Sequence, residues 1–393
     1  MRPFRRGSLR IVHQASRLVP LVPLLLTVAL ACGGVPAAGS DPALPDPDLP
    51  ADFSRELAWS ELETLAGLGP RPLGSDAAEA ARQHIRERMA AAGVAVETVS
   101  TTSEAEGYGP LALTHLVASL PGRSSDRIVL TAPYGSGQYD AFAFTGVNEG
   151  ASGAALLLEV GRVLAGRELP YTVELVWIEG EGRLGRGEGS ERDLRHLGSR
   201  SLAKRWGEEG RLDGIRLLVS FDRVCDADLR IARDLGSHRS HREEFWGAAR
   251  RLGRTAAFPP ASRYESVVSS HAAFRAAGLR RVLALEDTAY GGDEAPGLFA
   301  GEGDAIEHCA PESLETVGVV ALEALETIAL RLEKIDRFAR TPTAEPAPAV
   351  AAEPEPQESA PAPSEAEAET PAAEGVAPGD PEPPESPDAA DAS

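Results

Sequence analysis

The stretch TVELVWIEGEG, Thr172–Gly182, is the clearest structural signal in this chain. Its first seven residues, through Ile178, are mostly β-branched or aromatic, which favours a buried β-strand. The run stops at Glu179, and a second glutamate, Glu181, follows after one glycine. Carboxylates where a strand ends are a common component of metal and proton-transfer sites. The stretch therefore predicts a buried strand that delivers two acids to one edge of a sheet.

Strands and helices alternate along the chain on both sides of this stretch. Ser75 or Asp76 is predicted to cap a helix that runs to Ala92, and Pro311 opens a long helix to Leu332. Residues 121–126 are predicted as a turn. The other predicted strands are Val94–Thr101, Leu113–Leu120, Arg127–Ala132, Gly214–Phe221 and Arg281–Leu285, and the other predicted helices are Ala151–Leu164, Ser201–Trp206, His241–Leu252 and Ser269–Ala277. This alternation predicts an α/β fold, a three-layer α/β/α sandwich with a mixed, largely parallel central sheet.

Both ends of the chain differ in composition from the middle. Residues 1–31 combine scattered arginines with a short apolar run, which indicates a signal peptide. Residues 32–52 are predicted to be a Pro/Asp linker, and residues 53–340 the globular domain. Residues 341–393 hold 13 acidic residues and no Lys, Arg or aromatic residue, which predicts a disordered acidic tail. The net charge of −21 argues against nucleic acid as a partner.

The three cysteines have different predicted roles. The segment VALACGG around Cys32 resembles a bacterial lipobox, although Ala29 stands where leucine is usual. The resemblance implies a lipid on Cys32 and an exported, membrane-anchored lipoprotein, with an ordinary signal peptide as the alternative. An exported protein permits a disulfide between Cys225 and Cys309, but we expect two free thiols.

Eight segments of the chain, in order, resemble the family of zinc aminopeptidases and glutaminyl cyclases. The resemblance covers about residues 60–335 and implies the zinc-dependent exopeptidase fold. The segments are LAGLGPRPLGSDAAEAARQHIRERMAAAG, RIVLTAPYGS, TGVNEGASGAALLLEVGRVL, VELVWIEGEG, HLGSRSLA, LLVSFDRV, SSHAAFRAAGLRRVLALED and DAIEHCAPESLETVG. Zinc in such a site takes histidine nitrogen and carboxylate oxygen and keeps one position open for water or substrate.

The resemblance also implies which residues occupy the catalytic positions. Of the family's paired glutamates, the first is the general base and matches Glu181, whereas the second is a zinc ligand and is Gly182 here. The first histidine ligand is replaced by Pro133. The late histidine, counted back from Asp304, is replaced by Ala300.

Two carboxylates remain at the other ligand positions. The aspartate at the helix start is Glu149, and the next acidic position keeps Asp222. The Ser-Asp-His segment has Ser270 in place of its aspartate and keeps His271, which we expect to be a helix-start histidine with a structural hydrogen bond. Two carboxylates without histidine make a poor zinc site, so we expect Glu149 and Asp222 to be insufficient for zinc.

The remaining acidic and histidine candidates have ordinary structural interpretations. Glu179 and Glu181 are two residues apart, so on an extended strand both would point to one face and repel each other. We expect two partly solvated loop acids, Glu181 paired with Arg183 or Arg186, and the alternative is a proton-binding pair in a cleft. His115 and His196 are predicted to belong to no site.

These observations support two functions of different classes. The favoured hypothesis is a non-catalytic pseudo-peptidase that binds a peptide or partner protein in its cleft and needs no cofactor. The alternative is an active zinc-dependent aminopeptidase or glutaminyl-peptide cyclotransferase with an altered metal site. Metal content separates the two.

Overall fold

A six-stranded mixed sheet forms the centre of the domain, in the strand order β1-β2-β4-β3-β5-β8. The computed structural model describes residues 53–105, 107–184, 194–260, 264–290 and 301–340. The predicted signal peptide, Cys32, the linker, Ala300 and the acidic tail lie outside the described residues. The strands are β1 Val96–Ala105, β2 Gly109–Leu120, β3 Gly122–Pro133, β4 Leu169–Ile178, β5 Ile215–Asp222, β6 Arg233–Asp234, β7 Tyr264–Glu265 and β8 Val282–Glu286. The helices are α1 Arg55–Gly67, α2 Asp76–Ala91, α3 Gly153–Leu164, α4 Leu197–Glu208, α5 Arg239–Arg251, α6 Ser270–Ala276 and α7 Pro311–Arg340.

The pairing of the strands confirms the predicted mixed, largely parallel sheet. β3 lies between β4 and β5 and is parallel to both, and β5 is parallel to β8. β1 and β2 are antiparallel to their neighbours and form one edge. The short strands β6 and β7 pair separately. Because four parallel strands run together, their carboxyl ends meet at one edge of the sheet, where loops can assemble a site.

Alternate residues of the central strands pack against different layers of helices. Leu130 on β3 belongs to a large apolar cluster with residues of α1, α2, α3, α5 and α7. Its neighbour Val129 packs in a second cluster with residues of α4 and α6. Side chains of a strand point alternately to its two faces, so a strand with helices on both sides is apolar throughout. This arrangement confirms the predicted three-layer α/β/α sandwich.

Two parts of the fold differ from the sequence prediction. Helix α1 was not predicted, although Ser54 caps it by accepting a hydrogen bond from the N–H of Leu57 and Leu62 and Leu65 are buried along one face. The predicted turn at residues 121–126 was wrong, because β3 already begins at Gly122 and pairs there with β4. A Cβ at Gly122 would lie 2.2 Å from the carbonyl carbon of Tyr171, so only glycine allows this close strand pairing.

A disulfide joins Cys225 and Cys309, whose Cα atoms are 4.8 Å apart, so the prediction of two free thiols was wrong. The backbone brings the two residues together, since the N–H of Ala310 donates to the carbonyl of Cys225 over 2.7 Å. The bond connects the loop after β5 to the residues that precede α7. Sequence spacing could not reveal this contact because 84 residues separate the two cysteines.

Arg71 is a fully buried guanidinium that contacts four backbone carbonyls. It donates to the carbonyls of Leu65 at 3.0 Å, Gly69 at 2.9 Å, Tyr134 at 3.0 Å and Gly146 at 3.0 Å. Burial lowers the pKa of Arg71 to about 10. Since Tyr134 and Gly146 are the two ends of one loop, this side chain fixes that loop against the segment after α1.

Among the described residues, no helix combines the length and the apolar character required to cross a bilayer.

Candidate functional site

The candidate site lies where β3, β4 and β5 end. Glu181 follows β4, Asp222 is the last residue of β5, and Glu149 lies in an irregular turn, Val147–Ser152, that leads into α3. All three acids are buried. The structure therefore brings together three of the residues selected from the sequence.

Glu181 is held at the N-terminus of α4 by three donors. Its Oε1 accepts from the N–H of Ser199 at 2.6 Å, and its Oε2 accepts from Ser270 Oγ at 2.7 Å and lies 3.1 Å from His196 Nδ1. Burial raises the pKa of Glu181, but these hydrogen bonds outweigh burial and bring the pKa below its usual value. Helix N-termini also stabilise negative charge. These contacts favour the ionised form of Glu181 and occupy both of its carboxylate oxygens.

His196 joins Glu181 in the cleft, contrary to the expectation that it belongs to no site. It precedes α4 and adopts a left-handed backbone with φ 58°. Its N–H donates to the carbonyl of Glu181 at 3.1 Å, so backbone and ring both contact the same residue. Burial lowers the pKa of His196, but the bond to Glu181 outweighs this and raises it above the ordinary value. The contact with Glu181 thus favours the protonated form of the ring.

The turn that carries Glu149 is fixed by two aspartates. Asp304 accepts from the N–H of Asn148 at 2.6 Å and from the N–H of Glu149 at 3.0 Å. Asp222 Oδ1 accepts from the N–H of Gly150 at 3.1 Å and from the N–H of Arg223 at 2.9 Å. One oxygen of Asp222 is thus engaged by backbone donors rather than directed to a ligand.

Several buried acids lie together at this edge of the sheet, and burial raises their pKa values. Burial, with the charge of Asp222, raises the pKa of Glu149 to about 7. Burial is also the main reason why the pKa of Asp304 rises to about 6. Arg223 opposes these shifts for Glu149 and Asp222. The site therefore has more carboxyl groups than cations.

Glu179 points away from Glu181, and both acids are buried, so the expectation of two partly solvated loop acids was wrong. The suggested partner Arg186 lies outside the described residues. β4 ends at Ile178, and Gly180 takes a left-handed φ of 76°, so the two carboxylates point to different places. Glu179 pairs with Arg82 at 2.8 Å and accepts from the N–H of Thr114 at 2.7 Å. Neither glutamate is solvated, because Glu179 is 2% and Glu181 6% exposed. Glu179 has a structural role.

His271 lies at the start of α6, as predicted, but it is fully buried behind the cleft. Its Nδ1 lies 3.0 Å from Ser269 Oγ, and its Nε2 lies 3.1 Å from Asp234 Oδ2. Asp234 also accepts from Ser237 Oγ at 2.7 Å. These contacts fix α6 and thereby place Ser270 against Glu181.

Aromatic side chains of the loop after β3 lie next to the acidic residues. Tyr139 stacks on Phe142 with ring centroids 4.7 Å apart and meets Phe144 edge-on at 4.9 Å. Burial and the charge of Glu149 raise the pKa of Tyr139 to about 12. We call the buried acids Glu149, Asp222 and Asp304 the acidic floor of the site, and the rings of Tyr139, Phe142 and Phe144 its aromatic wall.

The residues present do not fit a zinc ion. Pro133 offers no ligand atom, and Gly182 has no room for one, because a Cβ there would lie 2.5 Å from the backbone nitrogen of Gly137. Within the described ranges, no three His, Cys, Asp or Glu side chains form a group that could hold a metal. A zinc site needs several such ligands at once.

Comparison with known proteins places this arrangement in a family. A profile of peptidase family M28 matches residues 115–325, more than half of the chain. The chain belongs to peptidase family M28. The M28 domain is 28% identical over 158 residues to the glutaminyl-peptide cyclotransferase of Drosophila melanogaster, which covers 39% of this chain and 44% of that protein.

Solved structures have the same fold as this M28 domain. The glutaminyl cyclase of an Acidobacteriales bacterium superimposes with a TM-score of 0.65 at 27% identity, over 73% of this chain and 99% of that one. A Zn-dependent exopeptidase of Parabacteroides distasonis gives a TM-score of 0.62 at 18% identity, over 70% of this chain and 98% of that one. The predicted resemblance to zinc aminopeptidases and glutaminyl cyclases is confirmed.

Sequence reasoning missed three residues of the M28 cleft. His196 is the first residue of the HLGSRSLA segment, and Arg223 directly follows Asp222 in LLVSFDRV, so both lie within segments that the resemblance had marked. Asp304 served only to count back to Ala300, whereas the structure gives it the backbone N–H groups of the Glu149 turn. Their place within a matched segment was the available signal in all three cases.

Gly182→Ala should destabilise the domain by about 1–3 kcal/mol, because the new Cβ meets backbone atoms of Gly137 that cannot rotate away. Urea unfolding measures the change. Gly67→Ala is the matched control, since a Cβ there meets no atom within 4 Å, and it should be neutral or slightly stabilising. Equal stability of the Gly182→Ala variant and the native protein would show that the loop has space for a side chain, including the missing glutamate.

His115 should make the domain sensitive to acid. Its Nδ1 accepts from the N–H of Glu179 at 3.4 Å, so its Nε2 carries the proton and donates to Thr101 Oγ1 at 2.8 Å. Burial lowers the pKa of His115 to about 4. The unfolded chain binds this proton near its ordinary pKa of about 6.5.

Between these two pKa values the unfolded state holds more protons, so stability falls as pH decreases from about 6.5 to 4. The loss should be on the order of 3 kcal/mol. His115→Gln should show a smaller change of unfolding free energy with pH, measured by urea denaturation at about pH 4.5 and about pH 7. Equal slopes in the two proteins would contradict a neutral buried His115.

Proposed function

We propose that this M28 domain is a non-catalytic peptide-binding member of its family. The observation that carries the proposal is the state of Glu181, whose two oxygens are engaged by Ser199, Ser270 and His196. The residue at the position of the family's general base is thus used to hold α4. Its neighbour Gly182 supplies no ligand and has no space for one.

The chemistry of the cleft supports a ligand with a positively charged amine. Glu149, Asp222 and Asp304 give the floor an excess of carboxyl groups, and Tyr139 and Phe142 are half-buried beside it. Carboxylates bind ammonium groups directly, and aromatic faces attract cations. The free N-terminus of a peptide, followed by an apolar side chain, has this chemistry.

Glutaminyl cyclisation is the second candidate function. Both the Drosophila melanogaster relative and the Acidobacteriales bacterium structure carry glutaminyl cyclase names, at 28% and 27% identity. In this candidate the chain acts on N-terminal glutamine with metal ligands that differ from the family pattern.

The test of the proposal combines binding and turnover. The purified protein should contain no stoichiometric zinc after dialysis, and should neither hydrolyse aminoacyl anilides nor cyclise an N-terminal glutamine peptide when zinc is added. In calorimetric titrations a peptide with a free N-terminus should bind at least about tenfold more tightly than its N-acetylated form, because the acetyl group removes the ammonium charge.

Two single substitutions test whether the peptide binds at the acidic residues of the site. Glu149→Gln should weaken binding of the free-amine peptide by about tenfold, since it removes a carboxylate from the floor. Glu104→Gln, at an exposed position of β1, is the matched control and should bind as the native protein does. Turnover of either substrate by the native protein that is lost in Glu181→Gln would establish an enzyme instead.

We also propose that the domain is exported and anchored through a lipid on Cys32. The support is the VALACGG segment after an apolar run. Cys32→Ser should move the protein from the membrane fraction to the soluble fraction, because a lipid chain is the anchor that the sequence offers. A Cys32→Ser protein that stays with the membranes would refute the lipid anchor.

A further inference from the structure

Arg183 lies against the aromatic wall of the site, two residues after Glu181. The N–H of Gln138 donates to the carbonyl of Arg183 over 2.8 Å, and Gln138 forms a parallel bridge with Leu184. The guanidinium carbon of Arg183 lies 5.8 Å from the centre of the Tyr139 ring, which is within the range of a cation–π contact. The side chain is half-buried. Backbone pairing and the aromatic ring thus hold this cation beside the site.

Among the described residues, no carboxylate pairs with Arg183. Glu181 was suggested as its partner from the sequence, but other donors engage both oxygens of Glu181. In every other contact between a described arginine and a described aromatic ring, the arginine also pairs with a carboxylate at 3.5 Å or less. These arginines are Arg82, Arg211, Arg216, Arg233 and Arg242. Arg183 therefore has donors that an anionic group of a ligand can use.

The aromatic wall connects Arg183 to the turn that carries Glu149. A Cβ at Gly146 would lie 2.6 Å from the carbonyl oxygen of Glu149 and 3.1 Å from the Phe144 ring. The Phe144 ring lies 4.9 Å from the Tyr139 ring, against which Arg183 is placed. The distance from the turn to the guanidinium is therefore on the order of 15–20 Å at most. Groups of opposite charge thus lie at the two ends of one wall.

A short peptide with both ends free matches this arrangement. At neutral pH it carries an ammonium group at one end and a carboxylate at the other. Extended peptides of about two to four residues are about 7–14 Å long, and an ion pair at each end adds about 3 Å. Arginine presents its donors in a planar fork that binds a carboxylate through two parallel hydrogen bonds. A much longer peptide would place its carboxylate beyond the guanidinium.

We propose that Arg183 binds the C-terminal carboxylate of a short peptide whose ammonium group lies at the acidic floor. The ligands are then free peptides of about two to four residues rather than the N-termini of whole proteins. This inference rests on the proposed peptide-binding function and narrows it to one class of ligand. The rings of Tyr139 and Phe142 contact the apolar side chains between the two ends.

Calorimetric titration of the full-length protein with alanyl-leucyl-alanine and with its C-terminal amide tests the inference. The two ligands differ only in the carboxylate. The native protein should bind the free acid about tenfold or more tightly than the amide. Arg183→Met should bind both ligands equally, at the affinity that the native protein has for the amide. A variant that had only lost packing would bind both ligands more weakly and keep the preference for the acid.

Arg250→Met is the matched control, because it removes an exposed arginine of α5. It should keep the native preference for the acid. A length series on the native protein gives a second measurement, which does not depend on whether a variant folds. The preference for acid over amide should be present for peptides of about two to four residues and should vanish at about eight residues.

The negative results separate this inference from the function on which it rests. Equal affinity of the native protein for acid and amide overturns the role of Arg183 and leaves binding through the ammonium group intact. A preference for the acid that Arg183→Met retains overturns it as well, because another cation then holds the carboxylate. If neither tripeptide binds while a longer peptide with a free N-terminus does, the inference alone is wrong. If no peptide with a free N-terminus binds, the proposed peptide-binding function is wrong and this inference with it.

Discussion

The constraint on which the cleft depends is the burial of the Arg71 guanidinium. A cation without water must use its donors on the protein, and Arg71 uses them on four carbonyls from three segments. Two of these carbonyls, on Tyr134 and Gly146, define the loop that carries the aromatic wall. The charge of Asp304 opposes the effect of burial on the pKa of Arg71, and its carboxylate also holds the backbone of the Glu149 turn. Arg71 and Asp304 together therefore fix the loop that carries the aromatic residues and the turn that carries Glu149.

The acids at this site of the M28 domain bind donors of the protein itself, mostly backbone N–H groups. Glu181 binds the N-terminus of α4, Asp222 and Asp304 bind the turn before α3, and Glu286 binds Arg223. Each contact satisfies a buried carboxylate within the protein. A fold does not determine a function. Here the layers and the sheet of the family persist, and the acids at the strand ends contact groups of the protein itself.

The sequence was most informative where a local pattern has one physical solution. The β-branched run of β4 has that property, and so do the Ser75 cap of α2 and the Pro311 start of α7. The prediction from sequence failed where the position of a side chain or helix depended on backbone far away in the chain. Glu179 and Glu181 were assigned to one face because residues two positions apart on a strand point to the same side. Gly180 takes a left-handed φ instead and separates them. Helix α1 was missed because its apolar residues lie under α3 and become meaningful only in the packed core.

By itself, the sequence determined the α/β layers and the order of the elements, because composition and periodicity act over a few residues. The resemblance to the family, also visible in the sequence, implied that Pro133 and Gly182 stand at positions where the family has side-chain ligands. The tertiary structure alone decided which groups compensate the acids that remain. His196 and Arg223 reach the cleft through left-handed backbone conformations, and the disulfide partners are 84 residues apart. Electrostatic compensation depends on distance in space and on exclusion of water. The local order of residues determines neither quantity. Which acids of the site are compensated, and by which groups, therefore became clear only from the tertiary structure.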